Sequence, residues 1–479
     1  MIYESVEALG RRLSAAIEEG EAGGTPKVKD AAAFQGELVD DLIQTAVFAG
    51  DPQVRGRARF AIKTAAAAGG IHLASIHDLY RAIGRGEAGP FTVPAMNIRG
   101  LSYDSARAFY RAAARTKCAA FIFEIAKSEM QYTSQRPHEY VAVMLAAALR
   151  EGFSGPIFIQ GDHFQANAKA YVENPDAELA SLEALIREAL AAGFYNIDID
   201  SSTLVVLERE GLASQQRDNA SVCAALTRFI RRHEPKGTTV SVGGEIGEVG
   251  GHNSTVAEFE AFMGEYEKAL DGAEPIRKIS VQTGTSHGGV VLPDGTVAKV
   301  KLDFEVLGAI SDVARARYGM GGTVQHGAST LPDEMFHEFP RHGACEVHLA
   351  TGFQNLVYDH PALPAEFKAS VYAHLDTACV KERKAGESPE QFYYKTRKKG
   401  FGGALKRAWW TLPEPVRGEL GGALEEKFVF LIRQLGVENT REAVARFVKP
   451  AAPAPDAAAE IAACTAVVVE KPDTNPRAD

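Results

Sequence analysis

Eight short apolar segments, most of them separated by a helical stretch, constrain the fold of this chain more than any other feature. The intervening sequences, such as SYDSARAFYRAAARTK and AELASLEALIREALAAGF, carry apolar residues at helical spacing. Nearly continuous apolar strands that alternate with helices are typical of a parallel sheet buried on both faces. The predicted strands are residues 91–98, 119–126, 156–163, 195–202, 238–247, 278–288, 323–329 and 345–352.

The number of these units indicates how the sheet is arranged. Eight strand–helix units in roughly 280 residues is the size of a (β/α)₈ TIM barrel. An open doubly wound sheet is the alternative, but it usually carries a glycine-rich dinucleotide turn after its first strand, and FTVPAMNIRG is not such a turn. We therefore predict an α/β fold, a TIM barrel with N-terminal and C-terminal helical extensions.

The chain of 479 residues is longer than the barrel needs. Residues 1–72 are rich in alanine and predict a helical extension that packs on the main domain or on another subunit. The barrel is assigned to residues 73–385 and a further helical region to residues 386–450. Residues 451–479 are rich in proline and alanine, which predicts a disordered tail.

Composition excludes several classes of function. The net charge of −10 argues against a nucleic-acid groove, although a local pocket can still bind a phosphorylated substrate. No apolar run is long enough for a membrane span, and the first residues lack the apolar core of a signal peptide. The five cysteines form no CxxC pair, so we expect a reducing compartment and a cytoplasmic protein.

The predicted strands begin with apolar residues and most of them end with polar ones. In a barrel the carboxyl ends of all strands meet at one face, where catalytic residues lie. We therefore expect these polar residues to converge. They are Asn97, Glu124, Asp162 and His163, Asp200 with Ser201 and Ser202, Glu245, His287, His326 and His348.

Three histidines at these strand ends, His163, His287 and His326, point to a metal site. A lone Asp162–His163 pair is more often a capping aspartate beside a hydrogen-bonded histidine. Two further histidines in equivalent positions favour metal binding, because neutral imidazole is a preferred ligand of zinc, and three such ligands with one open position describe a catalytic site.

Each of the other residues near these strand ends has two interpretations. Gly327 to Ser329 forms either a phosphate-binding nest or a simple tight turn. Glu245 is either an outer or alternative metal ligand, beside glycines that imply a mobile loop able to close over substrate, or part of a glycine-rich connection with no catalytic member. Asp198 and Asp200 share one face of their strand and either line the barrel mouth or bond their neighbours. Buried Glu124 needs a partner, in a pocket or a salt bridge.

The ordered series of motifs resembles the class II, metal-dependent fructose-bisphosphate aldolases. The resemblance begins at SIHDLYRAIGRGEAGPFTVPAMNI and continues through GDH, Asp200 to Ser202, the EIGxxGG loop, SHG, KLDFEVL, QHGAS and VHLATG. The order and spacing agree with the family over roughly the whole barrel of about 280 residues. Each motif is weak alone, but the series is specific.

The resemblance implies a role for each matching residue. His163, His287 and His326 would hold a catalytic Zn²⁺, and Glu245, with Asp200 near it, would belong to a second metal position. Asp162 would be the acid/base at the C4 hydroxyl of the substrate. The remaining candidates for substrate or phosphate binding are Gly288, Gly327, Ser329, Thr351, Asp200 and His348.

The sequence departs from the family pattern at several positions. The family loop continues GG-E-E-D, whereas this chain has Gly251, His252 and Asn253, so the glutamate that exchanges the dihydroxyacetone phosphate proton is missing. His252, Glu248 or another residue takes over this step, or the step is lost. His348 stands where the family has asparagine, and Ala350 replaces the acid that follows. Glu124 to Ala126 also differs from the family.

The resemblance implies a lyase of carbohydrate metabolism, in glycolysis and gluconeogenesis, that cleaves fructose 1,6-bisphosphate into dihydroxyacetone phosphate and glyceraldehyde 3-phosphate. The metal would act as a Lewis acid, and no Schiff-base lysine is required. The alternatives are a different ketose phosphate, such as tagatose or sedoheptulose bisphosphate, or a non-catalytic aldolase-like subunit. A homo-oligomer, a dimer or larger, is expected, with no nucleic-acid or membrane partner.

Overall fold

Eight parallel strands close into a barrel, as the sequence predicts. The computed structural model describes residues 1–18, 27–247, 252–284, 292, 302–328, 331–451 and 453–465. Each strand pairs in parallel with the next, and the last pairs with the first. The strands are β1 (Val93–Asn97), β2 (Ile122–Ala126), β3 (Gly155–Gln165), β4 (Asn196–Asp200), β5 (Ser241–Glu245), β6 (Lys278–Val281), β7 (Gly322–Gln325) and β8 (Glu346–Leu349).

Helices follow the strands and cover the outside of the barrel. They are Ser102–Thr116, Lys127–Tyr132, Pro137–Arg150, Ala168–Glu173, Pro175–Ala192, Leu212–His233, Val256–Leu270, Phe304–Tyr318, Glu338–Arg341 and Thr351–Asp359. The outward side chains of the strands, such as Ile197 and Ile199 of β4, are buried beneath these helices. The apolar core therefore lies between the barrel wall and the helical layer, which leaves the interior of the barrel free for polar residues.

The N-terminal region packs on one side of the barrel. Its helices are Val6–Leu13, Glu37–Phe48, Pro52–Ala68 and, beside the barrel, His77–Gly84. Arg59 pairs with Glu139 of helix Pro137–Arg150, with its Nη2 3.4 Å from the Glu139 Oε2. The short strand Ile71–Leu73 pairs with the beginning of β3, and Ile17–Glu18 pairs antiparallel with Lys27–Val28.

The C-terminal region completes the helical layer. Its helices are Ala365–Ala378, Pro389–Thr396, Lys406–Trp410, Glu414–Gln434, Arg441–Phe447 and Ala457–Thr465. In helix Glu414–Gln434 the ring centroid of Phe428 lies 5.3 Å from that of Phe109 and 4.9 Å from that of Phe353. This helix therefore covers the helices that follow β1 and β8. None of the helices in the described part of the chain combines the length and apolar composition needed to cross a bilayer.

Part of the segment predicted to be disordered is helical instead. Helix Ala457–Thr465 lies against helix Pro52–Ala68, and its buried Glu460 has an Oε1 2.5 Å from Lys63 Nζ and 3.1 Å from His138 Nδ1. Composition alone missed this contact, because the helix is held by partners that are distant in sequence. The remainder of the predicted tail, residues 466–479, lies outside the described residues.

The packing of this last helix predicts a stability effect at Gly56. A Cβ at this position would lie 2.6 Å from the Cα of Ile461, closer than real Cβ atoms approach. We expect Gly56→Ala to lower the free energy of unfolding by about 1–3 kcal/mol, measured by urea denaturation. The matched control Gly10→Ala has open space around it and is expected to gain up to about 1 kcal/mol of helix propensity. Equal stabilities of the two variants would contradict the contact.

Candidate active site

Alternation along the strands places polar side chains inside the barrel. Asp198 and Asp200 of β4 point inward, and Asp198 contacts Lys278 of β6, which is possible only across the interior. Lys278 and Ser280 of β6 repeat the same spacing. The interior therefore has a charged lower part and, towards the carboxyl ends of the strands, a cluster of histidines and acids.

A β-bulge in β3 brings two adjacent residues into this cluster. The register with β4 passes from Gly161 opposite Ile197 to Phe164 opposite Ile199, so β3 carries one extra residue between the two pairs. Asp162 and His163 lie in this bulge, and His163 has a φ of 40°, in the left-handed region. The predicted strand ended at residue 163, whereas β3 continues to Gln165. The bulge lets both side chains face the same pocket.

His163 lies at the centre of the cluster. Its Nε2 is 3.0 Å from Nδ1 of His326, and its Nδ1 is 3.3 Å from Oδ2 of Asp200 and 3.5 Å from Oε2 of Glu245. Asp162 Oδ1 lies 3.8 Å from His163 Nε2. Ligand atoms of Asp162, His163 and His326 fall within 4.8 Å of one another, as do those of His163, Asp200 and Glu245. These buried groups could hold a metal ion.

The charges in this cluster attract a cation. Burial lowers the pKa of His163, but Asp162, Asp200 and Glu245 outweigh that effect and hold the pKa well above its usual range. Burial raises the pKa of Asp200, yet its bonds to His163, Ser202 and Gln165 keep that pKa below its ordinary value. Three carboxylates around two imidazoles form a donor set that fits a divalent metal.

His348 joins this cluster to the lower part of the barrel. Its Nδ1 lies 3.2 Å from Oδ1 of Asp162 and 3.0 Å from Oε2 of Glu124, and its Nε2 lies 2.6 Å from Oε1 of Glu346. The ring centroids of His348 and His326 are 4.1 Å apart. Burial raises the pKa of Glu124 well above its ordinary value, against the charge of His348. Glu124 therefore has the partner that its burial requires.

The other predicted site residues divide into three groups. Gly327 directly follows His326 with a φ of 69°, which glycine adopts at little cost, and buried Thr351 begins the helix after β8. Asn97 instead donates to Glu129, in the helix that follows β2. His287, Gly288 and Ser329 lie outside the described residues.

Two buried charged residues, at the first positions of β6 and β8, were not among the predicted site residues. Lys278 and Glu346 are fully buried inside the barrel, where their side chains are 2.6 Å apart. Neither residue lies at the carboxyl end of its strand, where the predicted site residues are concentrated. The two-residue spacing of Lys278 from Ser280 and of Glu346 from His348 would have placed both charges inside the barrel.

Three solved structures align with this chain at low sequence identity. The fructuronate-tagaturonate epimerase UxaE from Cohnella laeviribosi has a TM-score of 0.52 and 12% identity, covering 73% of this chain and 82% of that chain. Fructose-bisphosphate aldolase Fba from Campylobacter jejuni has a TM-score of 0.47 and 17% identity, covering 77% and 97%. The YdjI aldolase from Escherichia coli K12 has 0.46 and 13%, covering 76% and 98%. At these identities the likeness concerns the fold alone.

The family assignment depends on a different comparison. A search of curated proteins finds no significant match. The family model described as fructose-bisphosphate aldolase class-II matches residues 78–397, which is more than half of the chain and includes all eight barrel strands. It also spans the clustered residues from Glu124 to His348. The resemblance predicted from the motifs is thereby confirmed, and the chain belongs to the class-II fructose-bisphosphate aldolase family.

Proposed function

We propose that this protein is a zinc-dependent aldolase that reversibly cleaves fructose 1,6-bisphosphate into dihydroxyacetone phosphate and glyceraldehyde 3-phosphate. The observation that carries the proposal is the cluster of His163 and His326 with Asp162, Asp200 and Glu245 at the barrel mouth. Membership of a class-II aldolase family supports the reaction type. A sugar phosphate suits a site of this kind, since metal ions and backbone N–H groups both bind oxyanions.

His163 and His326 would hold the metal, with His287 as the third histidine that the family resemblance implies. Glu245 and Asp200, near His163, would supply a second position. Imidazole ligands favour zinc over magnesium or calcium. A bound divalent metal supplies Lewis-acid polarisation of the ketose carbonyl and hydroxyl oxygens.

Asp162 is the proposed acid/base of the cleavage. It would accept the proton of the C4 hydroxyl as the C3–C4 bond breaks, and return a proton in the reverse direction. Burial of Asp162, with 4% of its surface exposed, keeps competing water away from this transfer. His348, 3.2 Å away, orients the Asp162 carboxylate.

Phosphate binding is proposed for the glycine turn after β7 and the start of the helix after β8. Gly327 has the positive φ that lets backbone N–H groups approach an anion, and Thr351 is the first residue of its helix. Gly288 and Ser329 are assigned to the same function from the resemblance.

A different ketose phosphate is the second candidate, favoured by the changed residues Glu124, Asn253 and His348. Asn253 donates to Asp303 with a distance of 3.3 Å, and half-exposed His252 lies 3.1 Å from Glu258. Both side chains therefore face partners other than the described residues of the histidine cluster. This candidate is tested by measuring cleavage of tagatose bisphosphate and sedoheptulose bisphosphate. In the reverse direction, condensation of dihydroxyacetone phosphate with a panel of aldehydes tests which aldehyde the site accepts.

The proposed reaction predicts a specific pattern of inhibition. Removal of the metal with a chelator should abolish cleavage, and added Zn²⁺ should restore it, because the carbonyl loses its polarising cation. Borohydride added with substrate should leave the enzyme active, since no lysine adduct forms. Cleavage is measured by coupled reduction of the triose product. Trapping of substrate on a lysine would refute the metal mechanism, and a chain that binds no zinc and cleaves no ketose phosphate would favour the non-catalytic subunit.

The assembly of the protein, its location in the cell and its division into domains are also proposed. We propose a cytoplasmic homo-oligomer, a dimer or larger, and the division at residues 72, 385 and 450. The five cysteines are all free, as a reducing compartment would keep them. Light scattering of the purified chain measures the oligomer, and limited proteolysis tests the boundaries.

A further inference from the structure

Lys278 is an unusual residue for the interior of a barrel. Its side chain has 0% exposure, and its Nζ donates to Oε1 of Gln160 (2.8 Å), Oδ2 of Asp198 (2.8 Å) and Oε1 of Glu346 (2.6 Å). A buried ammonium is costly unless it is paired and hydrogen-bonded, and all three of its N–H donors have acceptors here.

The neighbouring strand leaves room for this lysine. Gly243 of β5 pairs in register with Lys278, and a Cβ on Gly243 would lie 2.9 Å from Cε of Lys278 and 2.4 Å from Oδ1 of Asp198. Any larger residue at 243 would displace the ion pair. The space for the ammonium therefore depends on the glycine in β5 as well as on the acids that bind it.

Glu346 connects Lys278 to the active site. The same Oε1 atom that accepts from Lys278 also accepts from Nε2 of Gln160 at 2.8 Å and lies 2.6 Å from Nε2 of His348. The other ring nitrogen of His348 lies 3.2 Å from Asp162. One continuous series of contacts thus runs from the ammonium through Glu346 and His348 to the proposed acid/base.

The ammonium also balances the charge of the barrel interior. Burial lowers the pKa of Lys278, but Asp198 and Glu346 outweigh it and raise the pKa above its ordinary value, so the lysine stays charged. Without this cation, Asp198 and Glu346 would be buried carboxylates with too few positive partners, and either would draw His348 towards itself.

We propose that Lys278 is a positioning residue for the aldol reaction: its ammonium holds Glu346 in place, and Glu346 holds the ring of His348 against Asp162. This inference rests on the proposed function of Asp162. The Nζ of Lys278 is fully engaged by Gln160, Asp198 and Glu346, so it would affect the rate by setting where the Asp162 carboxylate points.

Lys278→Met removes the ammonium while keeping an unbranched side chain. We expect kcat for ketose bisphosphate cleavage to fall by about 10- to 100-fold, with KM and zinc content little changed. Lys406→Met is the matched control, because Lys406 is also buried and paired with an acid, Glu139, outside the site. The control is expected to lose stability and keep its kcat. An unchanged kcat in Lys278→Met would overturn the proposal.

A double-mutant cycle separates positioning from a general structural effect. If Lys278 acts through His348, then Lys278→Met combined with His348→Asn should have the same kcat as His348→Asn alone. Losses that multiply would show that the lysine acts by another route, and the proposal would fail.

A second variant covers the case in which Lys278→Met does not fold. Gly243→Ala keeps every charge and crowds both Asp198 and the Cε of Lys278, which disturbs the ion pair, so it should lower kcat without changing KM. An unaffected kcat would overturn the proposal. If the parent enzyme cleaves no ketose phosphate, the proposed function fails, and the inference is then tested by a crystal structure of Lys278→Met or Gly243→Ala. The His348 ring should move out of hydrogen-bond distance of Asp162, and an unmoved ring would overturn the inference.

Discussion

In the Asp162→Asn variant, we expect kcat for ketose bisphosphate cleavage to fall by about 10²- to 10⁴-fold, the usual contribution of a positioned acid/base. Asparagine keeps the shape of the buried side chain but cannot accept the C4 hydroxyl proton. The β3 bulge and the contact with His348 should persist, because they depend on backbone register and on an oxygen that the amide retains. Steady-state kinetics with fructose 1,6-bisphosphate measures the effect.

Asp104→Asn is the matched control for this variant. Asp104 is another largely buried aspartate, in the first turn of helix Ser102–Thr116, with Oδ1 3.0 Å from Nη1 of Arg417 and 4.0 Å from Nη1 of Arg107. Its replacement should cost stability and leave kcat close to that of the parent. If Asp162→Asn retained the parent rate, Asp162 would not be the acid/base, and the proton would be taken by another group.

The second large effect is expected at the metal site. His163→Asn should weaken zinc binding by at least about 100-fold, since loss of an outer hydrogen-bond partner alone costs about 10- to 100-fold. Asparagine suits the test because it tolerates the φ of 40° at this position, whereas alanine would add backbone strain. Cleavage should be lost together with the zinc. Elemental analysis and titration with a zinc indicator measure the change.

His138→Asn controls for the loss of a buried histidine. His138 lies 3.1 Å from Glu460 and belongs to the packing of helix Ala457–Thr465. This variant should bind zinc as the parent does. Full zinc content in His163→Asn would refute the assignment of His163 as a ligand and would favour a group that lacks it, such as Asp162, Asp198 and His348.

The barrel could be predicted from local sequence patterns. Strand–helix alternation depends on hydrophobic periodicity, which neighbouring residues encode, and all eight predicted strands are present. The placement of Glu124, Asp162, His163, Asp200, Glu245, His326 and His348 near one another followed from the same source. In a closed parallel barrel the carboxyl ends of all strands lie at the same face, so the side chains at these ends converge there.

Two features required the folded chain. The bulge at Asp162 and His163 depends on the register between β3 and β4, which no local pattern specifies. The helix Ala457–Thr465 is held in place because its Glu460 pairs with Lys63 and His138. Lys63 lies almost four hundred residues earlier in the chain, and His138 more than three hundred. Composition alone therefore predicted a disordered tail where a packed helix lies.

The amino-acid sequence by itself determined the strands, their order and the chemical character of the strand ends, because these properties follow from periodicity and chain direction. Only the tertiary structure decided that Lys278 and Glu346 form a buried ion pair beneath the histidine cluster. Strand alternation puts both charges on the interior face, but it does not specify whether they pair with each other or are solvated at the lower end of the barrel. Closure of the barrel, which brings β4, β6 and β8 to within hydrogen-bond distance, selects between the two.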